Sequence, residues 1–181
     1  GMKKGSKTRS GLLWEVERLL KECENLPQVL LMENVTQVHG KKNIDDFNQW
    51  IDALKKLGYS STWMDLNARD FGIPQNRNRT FMISILGDYT YDFPKPFELK
   101  VRLKDMLENE VDEKYYLSEK MLNCFMSNGT GKYPRKERFL QNINRKNQDI
   151  ANAITTLEGN RATCTFIKNE DFEMFKNDSN T

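Results

Sequence analysis

The sequence predicts an α/β layer followed by an irregular α+β region, and three observations carry that reading. A continuous apolar run, Val29-Leu30-Leu31-Met32, lies between two segments of helical periodicity. Two more strand-like segments follow the second of these. After a turn-rich passage at 88–96 the pattern changes, and residues 128–181 are rich in Asn, Thr, Lys and Gly without strong periodicity. Strand–helix–strand with an apolar first strand is the signature of an α/β layer. At 181 residues the chain can form one well-buried domain, or one domain with a loosely packed appendage.

Leu12, Leu13, Val16, Leu19 and Leu20 recur at helical spacing over 10–24, with Ser10 placed to cap the helix and Pro27 to end it. The run at 29–32 is bounded by polar residues, which suits a strand buried on both faces. A second helix is predicted over 44–57, with Ile44, Phe47, Ile51 and Leu54 on one face. Asn43 can cap its start, and Gly58 stands where a left-handed terminator is usual. Residues 60–66 and 81–86 read as strands. Gly87, Pro94 and Pro96 punctuate the next passage, where a boundary is placed. Short helices are expected at 101–109 and 118–127, the second capped by Ser118 and carrying Met121, Leu122, Phe125 and Met126. The last dozen residues are polar and read as frayed. No internal repeat is present.

Composition excludes several classes. Hydrophobic residues are 38% and charged residues 30%, so a soluble protein is expected, and no run approaches the roughly 18 apolar residues of a membrane span. The basic start, Gly1-Met2-Lys3-Lys4-Gly5-Ser6-Lys7, has no apolar core behind it and is no secretory signal; Gly1 reads as a residue left by tag removal. Cys23, Cys124 and Cys164 are an odd count without a CxxC pair, which argues against a disulfide framework or a zinc site and suits a reducing cytoplasm. A net charge of +2 does not imply a nucleic-acid partner. Its distribution is more telling: 1–9 carry four basic groups and no acid, and 132–146 carry six against Glu137 alone. Such clusters can follow a phosphate backbone, or simply form solvated faces.

Two stretches carry chemistry. Leu31-Met32-Glu33-Asn34-Val35 places a carboxylate at the carboxyl end of a strand, the edge where open α/β sheets bind ligands. Asn67 to Arg79 contains Gly72-Ile73-Pro74-Gln75-Asn76-Arg77-Asn78-Arg79 and leads into the strand at Phe81. Arg77 and Arg79, alternating at a strand start, would project to one face and clamp a carboxylate or phosphate. Each stretch alone has a bland reading, as a polar strand end and a solvated turn. Taken together, in order and about forty residues apart, they resemble the sixth and eighth motifs of the DNA cytosine-5 methyltransferase family. Thr8-Arg9-Ser10-Gly11-Leu12-Leu13-Trp14-Glu15-Val16 is similar to the helix carrying its fifth. The resemblance spans 5–87. It is looser at Lys104-Asp105-Met106-Leu107, Tyr115-Tyr116-Leu117-Ser118 and Ile154-Thr155-Thr156, which resemble passages of the target-recognition region.

That resemblance implies the second half of a Rossmann-like S-adenosylmethionine-dependent methyltransferase sheet, followed by an irregular α+β recognition region. The division would be a basic leader at 1–9, a partial catalytic domain at 10–87 and a partial recognition region at 88–181. The family's enzymes add a cysteine thiolate to C6 of a flipped cytosine, so that C5 can accept a methyl group. By resemblance Glu33 contacts N3 and the exocyclic amine as a protonated or proton-sharing carboxyl group. Asn34 orients the loop bearing the nucleophile, Arg79 contacts O2 or nearby backbone, and Arg77 supports the same pocket. Leu12 lies near the methyl donor.

Three parts of the family pattern are missing from the sequence. Cys23 follows Glu22, Cys124 follows Asn123 and Cys164 follows Thr163, so none stands in the Pro-Cys dipeptide of the nucleophile; each reads as an apolar filler or incidental thiol. The Gly-rich cofactor turn is also absent, Gly129-Thr130-Gly131 having no strand before it, as is a late Arg-x-Leu-Thr-Pro-x-Glu segment. The sequence therefore reads as a fragment or subunit, inactive alone, truncated on both sides of the resemblance. S-adenosylmethionine is the cofactor of the complete enzyme, with little here to bind it alone. The expected partners are DNA and either a complementary subunit with the nucleophile and cofactor motifs or a second copy, with no membrane. The alternatives are a non-catalytic DNA-binding or regulatory module using 132–146, and a degenerate remnant of a restriction-modification or phage methylase. His39, the only histidine, reads as a loop residue, and Trp14, Trp50 and Trp63 as core or near-core.

Overall fold

The computed structural model describes residues 12–127, 135–145, 148–153 and 166–168. In chain order its first elements are α1 (Leu12–Glu22), β1 (Val29–Asn34), a 3-10 turn at Thr36–His39, α2 (Ile44–Lys56), β2 (Tyr59–Asn67), β3 (Gln75–Asn76) and β4 (Asn78–Leu86). Then come α3 (Glu119–Met126), α4 (Arg135–Gln141), β5 (Ile143–Arg145), β6 (Ala151–Asn152) and β7 (Phe166–Lys168). The chain divides into two compact units. One holds Gly1–Asn67 with Asn78–Pro96, and the other Ala68–Arg77 with Phe97–Thr181.

The first unit is built on a three-stranded sheet of order β1-β4-β2, with β4 antiparallel to both neighbours. Because facing residues of a ladder share a face, the register sorts the side chains. Leu30, Met32, Ser84, Met82, Tyr59, Ser61 and Trp63 share one face; Val29, Leu31, Glu33, Ile85, Ile83, Phe81, Thr62 and Met64 share the other. Only the first face is the core. Phe47 and Leu54 of α2 and Trp14 and Leu20 of α1 are buried with Tyr59 and Met82, and Leu30 and Met32 pack against them. Trp14 and Trp50 meet edge to face at 6.1 Å, a favoured aromatic geometry. Glu17 is also buried, and its carboxylate accepts a 2.7 Å hydrogen bond from Lys21 one helical turn on.

The expectation that β1 is buried on both faces is corrected here. Val29 is 52% and Leu31 67% exposed, while Leu30 and Met32 are half-buried. Both helices of the unit lie on one side, so the apolar run supplies one covered face and one open one. Trp63 takes the near-core place: it is 39% exposed, against His39 at 4.7 Å and edge-on to Phe47 at 5.4 Å.

Helix ends follow local chemistry. Gly58, at φ +93°, is the left-handed terminator after α2, with its N–H donating to the Lys55 carbonyl at 3.0 Å. Asn43 occupies the cap position of α2, yet its side chain makes no capping bond; its Nδ2 donates instead to the Gln37 carbonyl at 2.8 Å, tying the 3-10 turn to the helix start. Ser10, expected to cap α1, lies outside the described residues.

In the second unit β3 pairs with β6 and β5 with β7, both parallel. Phe125 of α3, Phe139 of α4 and Phe166 of β7 form its aromatic centre, at 5.3 to 5.9 Å. The fully buried Asn144 is satisfied there: its Oδ1 accepts from the Asn152 N–H at 2.9 Å and from Gln148 Nε2 at 3.1 Å. Ser118 caps α3 as expected, accepting from the Met121 N–H at 3.3 Å. The helix expected at 101–109 contracts to a 3-10 turn, Leu103–Met106. Leu103 N–H donates to the Asp149 carbonyl at 2.9 Å and Arg102 pairs with the Asp149 carboxylate at 2.8 Å, so this segment is bound to a distant loop rather than coiled on itself.

Cys23 and Cys124 are exposed, which removes the filler reading for both and leaves that of an incidental thiol; Cys164 lies outside the described residues. So do 1–9, 129–131 and 154–156, and of the basic cluster only the side chains of Lys136 and Arg138 are described. Among the described residues no helix is long and apolar enough to cross a membrane, and no group of three or more acidic, His or Cys side chains is arranged to hold a metal ion.

Candidate functional site

The site begins where β1 runs out. Glu33 faces Phe81 across the ladder, and Arg79, two residues before Phe81, lies on the same face of β4. The diagonal brings Arg79 Nε to 3.0 Å from Glu33 Oε1, with the Arg79 side chain 21% and the Glu33 side chain 44% exposed. Arg79 Nη1 also donates to its neighbour's carbonyl, Asn78 O, at 2.8 Å. The result is a carboxylate and a guanidinium fixed side by side at a sheet end, reachable from solvent. Such a pair can present both a proton-accepting edge and a planar donor to a flat polar ligand.

Arg77 stands just before β4, which starts at Asn78, so the expected alternation with Arg79 along the strand is corrected. Arg77 closes a tight turn, its N–H donating to Gln75 O and its carbonyl accepting from the Ala68 N–H, both at 3.0 Å. The preceding Gln75 and Asn76 are diverted into pairing with Ala151 and Asn152, so the alternation cannot run back through Arg77. The loop ahead of it is shaped by Gly72. At φ +84°, a Cβ there would stand 3.1 Å from the Phe97 ring, which also packs edge-on against Phe71 at 6.0 Å.

Asn34 lies on the opposite face of β1 from Glu33, and its Oδ1 accepts from the Val35 N–H at 2.9 Å. This local bond sets the turn into the 3-10 segment. Leu12 opens α1, but its side chain lies outside the described residues.

Sequence reasoning missed a second polar cluster on the back of the same strand ends. His39 is not an idle loop residue: it belongs to the 3-10 turn, and its Nε2 lies 3.0 and 3.1 Å from the two carboxylate oxygens of Asp65. Thr80, with no exposed surface, donates to Asp65 Oδ1 at 2.5 Å. Asn34, Thr80 and Asp65 stand in one row across β1, β4 and β2. The row lies beneath Glu33 and Arg79 and ties the segment after β1 to the sheet. No local sequence signal marks it, since His39 and Asp65 are 26 residues apart and meet only through strand register.

Known proteins place the chain in a family. Residues 1–180 match the family described as C-5 cytosine-specific DNA methylase. The type II methyltransferase M2.ScrFI of Lactococcus lactis subsp. cremoris is 43% identical over 124 residues, covering 68% of this chain and 34% of that protein. The orphan methyltransferase M.SssI of Spiroplasma monobiae is 48% identical over 120 residues, covering 65% of this chain and 31% of that protein. The chain thus spans about a third of the length of these relatives. In fold, it resembles the crystal structure of S. pombe Dnmt2 methyltransferase, with a TM-score of 0.66 at 22% identity over 91% of this chain and 51% of that one. The expected partial Rossmann-like methyltransferase fold is therefore what this chain adopts. With a family match along nearly its whole sequence, the chain belongs to the C-5 cytosine-specific DNA methylases.

Proposed function

We propose that this chain is the base-holding part of a DNA cytosine-5 methyltransferase and is inactive without a part supplying the nucleophile. The observation that carries this reading is the Glu33–Arg79 pair at the carboxyl end of β1. Cytosine C5 is a poor nucleophile until a thiolate adds at C6, and the charge that then develops on the ring must be neutralised at N3. Glu33 supplies the carboxyl group for N3 and the exocyclic amine. Arg79 orients it and faces O2, and Asn34 orients the nucleophile loop. The base leaves the duplex to reach them.

No cysteine of the sequence follows a proline, so the thiolate comes from elsewhere. S-adenosylmethionine provides the methyl group in the complete enzyme. The residues of this chain do not by themselves fit it: a Gly-rich turn after a strand is absent from the sequence, and Leu12 is the single residue assigned to its neighbourhood. DNA is the substrate, with 10–87 as the catalytic part and 88–181 as the recognition part, in the setting of a restriction-modification or phage methylase.

The test is methyl transfer from labelled S-adenosylmethionine into cytosine-containing duplex DNA. The expected result is no incorporation by the purified chain, and incorporation when a polypeptide bearing the Pro-Cys loop and the Gly-rich turn is added. Incorporation by the chain alone overturns the reading of inactivity.

A further inference from the structure

We infer that His39 is a positioning residue for the Glu33–Arg79 pair: through Asp65 and Thr80 it locks, from the opposite face of the sheet, the two strand ends that carry them. This rests on the base-holding reading above and names the residues that keep its pair in place.

Both members of the pair stand near the ends of their strands. Glu33 is the last residue but one of β1, and Arg79 is the second residue of β4. Ladder ends are where local opening is easiest. The 3.0 Å pair, with Glu33 44% exposed, is too well screened to hold those ends closed by itself. Groups that must meet a flat ring at a fixed distance need their backbone held by something else.

The polar row on the helix-covered face supplies that hold. Asn34 and Thr80 are register partners, and so are Thr80 and Asp65. The row therefore lies one residue from Glu33 on β1 and one residue from Arg79 on β4. Asp65 draws it together. Its Oδ1 accepts from the fully buried Thr80 hydroxyl at 2.5 Å, and both its oxygens lie within 3.1 Å of His39 Nε2. An ionised carboxylate only accepts, so Nε2 carries a proton in this contact. Hydrogen bonds to charged acceptors are the stronger class, and Asp65, at 32% exposed, is better shielded than Glu33.

His39 closes the circuit back to β1. It ends the 3-10 turn Thr36–His39, which begins two residues after Asn34. That turn is stiffened from within: the Val38 N–H donates to Val35 O at 2.9 Å and the Gly40 N–H to Gln37 O at 3.1 Å, while the Val38 side chain is buried. Anchoring His39 on β2 thus anchors the carboxyl end of β1. The imidazole is seated against Trp63 at 4.7 Å and Phe47 at 6.1 Å, so packing sets the direction in which Nε2 points.

The experiment is hydrogen exchange by NMR on the isotope-labelled full chain. It follows the Arg79 Nε–H and the amides of 33–36, with the Ile83 and Ser84 amides of mid-β4 as internal references. His39→Phe keeps a ring against Trp63 and Phe47 but removes the donor; His39→Gln gives up the ring and keeps an amide donor near the place of Nε2. His39→Phe should speed exchange at Arg79 and at 33–36 about tenfold and leave the references nearly unmoved. Asp65→Ala, which removes the acceptor, should do the same, and His39→Gln should return most of the protection. Unchanged exchange at Arg79 in His39→Phe overturns the inference, as does failure of His39→Gln to restore it. A parallel rise at Ile83 and Ser84, or loss of the urea transition in both His39→Phe and Asp65→Ala, shows a general stabilising role only and also overturns it. In the methyl-transfer assay with the nucleophile-bearing polypeptide, His39→Phe should lower kcat about tenfold with little change in the KM for DNA. Faster exchange with an unaltered rate leaves the positioning role standing and refutes the catalytic reading of Glu33 instead.

Discussion

Replacing Glu33 with Gln separates a structural ion pair from a catalytic carboxyl group. The variant keeps the shape of the side chain and one oxygen for Arg79 Nε, and removes the charge. From the structure, the effect on stability is small. With Glu33 44% and Arg79 21% exposed, solvent screens the 3.0 Å pair. Exposed pairs of this kind contribute about 0.2–1 kcal/mol. The effect on turnover is large if Glu33 neutralises N3, because positioned proton-handling groups contribute roughly 10²–10⁴-fold. At about 1.36 kcal/mol per decade, that loss is on the order of 3–5 kcal/mol of barrier. Urea unfolding followed by tryptophan fluorescence reads the first quantity. Methyl transfer in the complex with the nucleophile-bearing partner reads the second. The reasoning predicts a midpoint almost unmoved and a rate lowered at least a hundredfold. A variant that unfolds easily and loses activity only in proportion to its folded fraction would falsify the assignment, as would a wild-type rate.

Three further outcomes are expected. Phe47→Ala empties a fully buried site between α2 and the sheet and should destabilise the first unit by about 3–5 kcal/mol, read as loss of the cooperative urea transition at 25 °C. Thr80→Val removes the buried donor to Asp65 without changing volume greatly. It should cost about 1–3 kcal/mol; an unchanged midpoint would show that Asp65 does not depend on that bond. Burial, and secondarily the nearby Cys23, raise the Tyr59 hydroxyl above its ordinary value of 10.0, and the hydroxyl donates to the Pro27 carbonyl at 2.7 Å. The folded state thus favours the protonated phenol. Its contribution is complete below about pH 10 and is lost as pH rises through the raised value. Tyr59→Phe should flatten the fall of stability with pH on the alkaline side, and an unaltered slope would assign that fall to other groups.

How much of this could be read from the chain depends on whether the cause was local. The helices at 12–22 and 44–56 follow from apolar spacing, and the stop at Gly58 from its conformational freedom. Ser118 capped α3 because a cap needs only the next three residues. Glu33 and Arg79 follow from the resemblance, and the ladder brings them together. What escaped was set by register and layering. Val29-Leu30-Leu31-Met32 is equally apolar at every position, so nothing in it says that only Leu30 and Met32 meet helices. Arg77 and Arg79 look equivalent, yet a two-residue pairing with Ala151 and Asn152 takes Arg77 off the strand. His39, Asp65 and Thr80 come from three elements and converge only when β2 and β4 align.

The strand order also fixes a sequence of events in synthesis. β4 is made last of the three strands and lies between the other two, so β1 and β2 have no hydrogen-bonded neighbour in the sheet until it arrives. At roughly 5–20 residues per second, they wait on the order of seconds. Contacts so distant along the chain also close slowly. The same late insertion brings Arg79 to Glu33. A nascent chain that stalls before Phe81 therefore has neither a sheet nor a site, and the step that commits the unit to fold is also the one that assembles its chemistry.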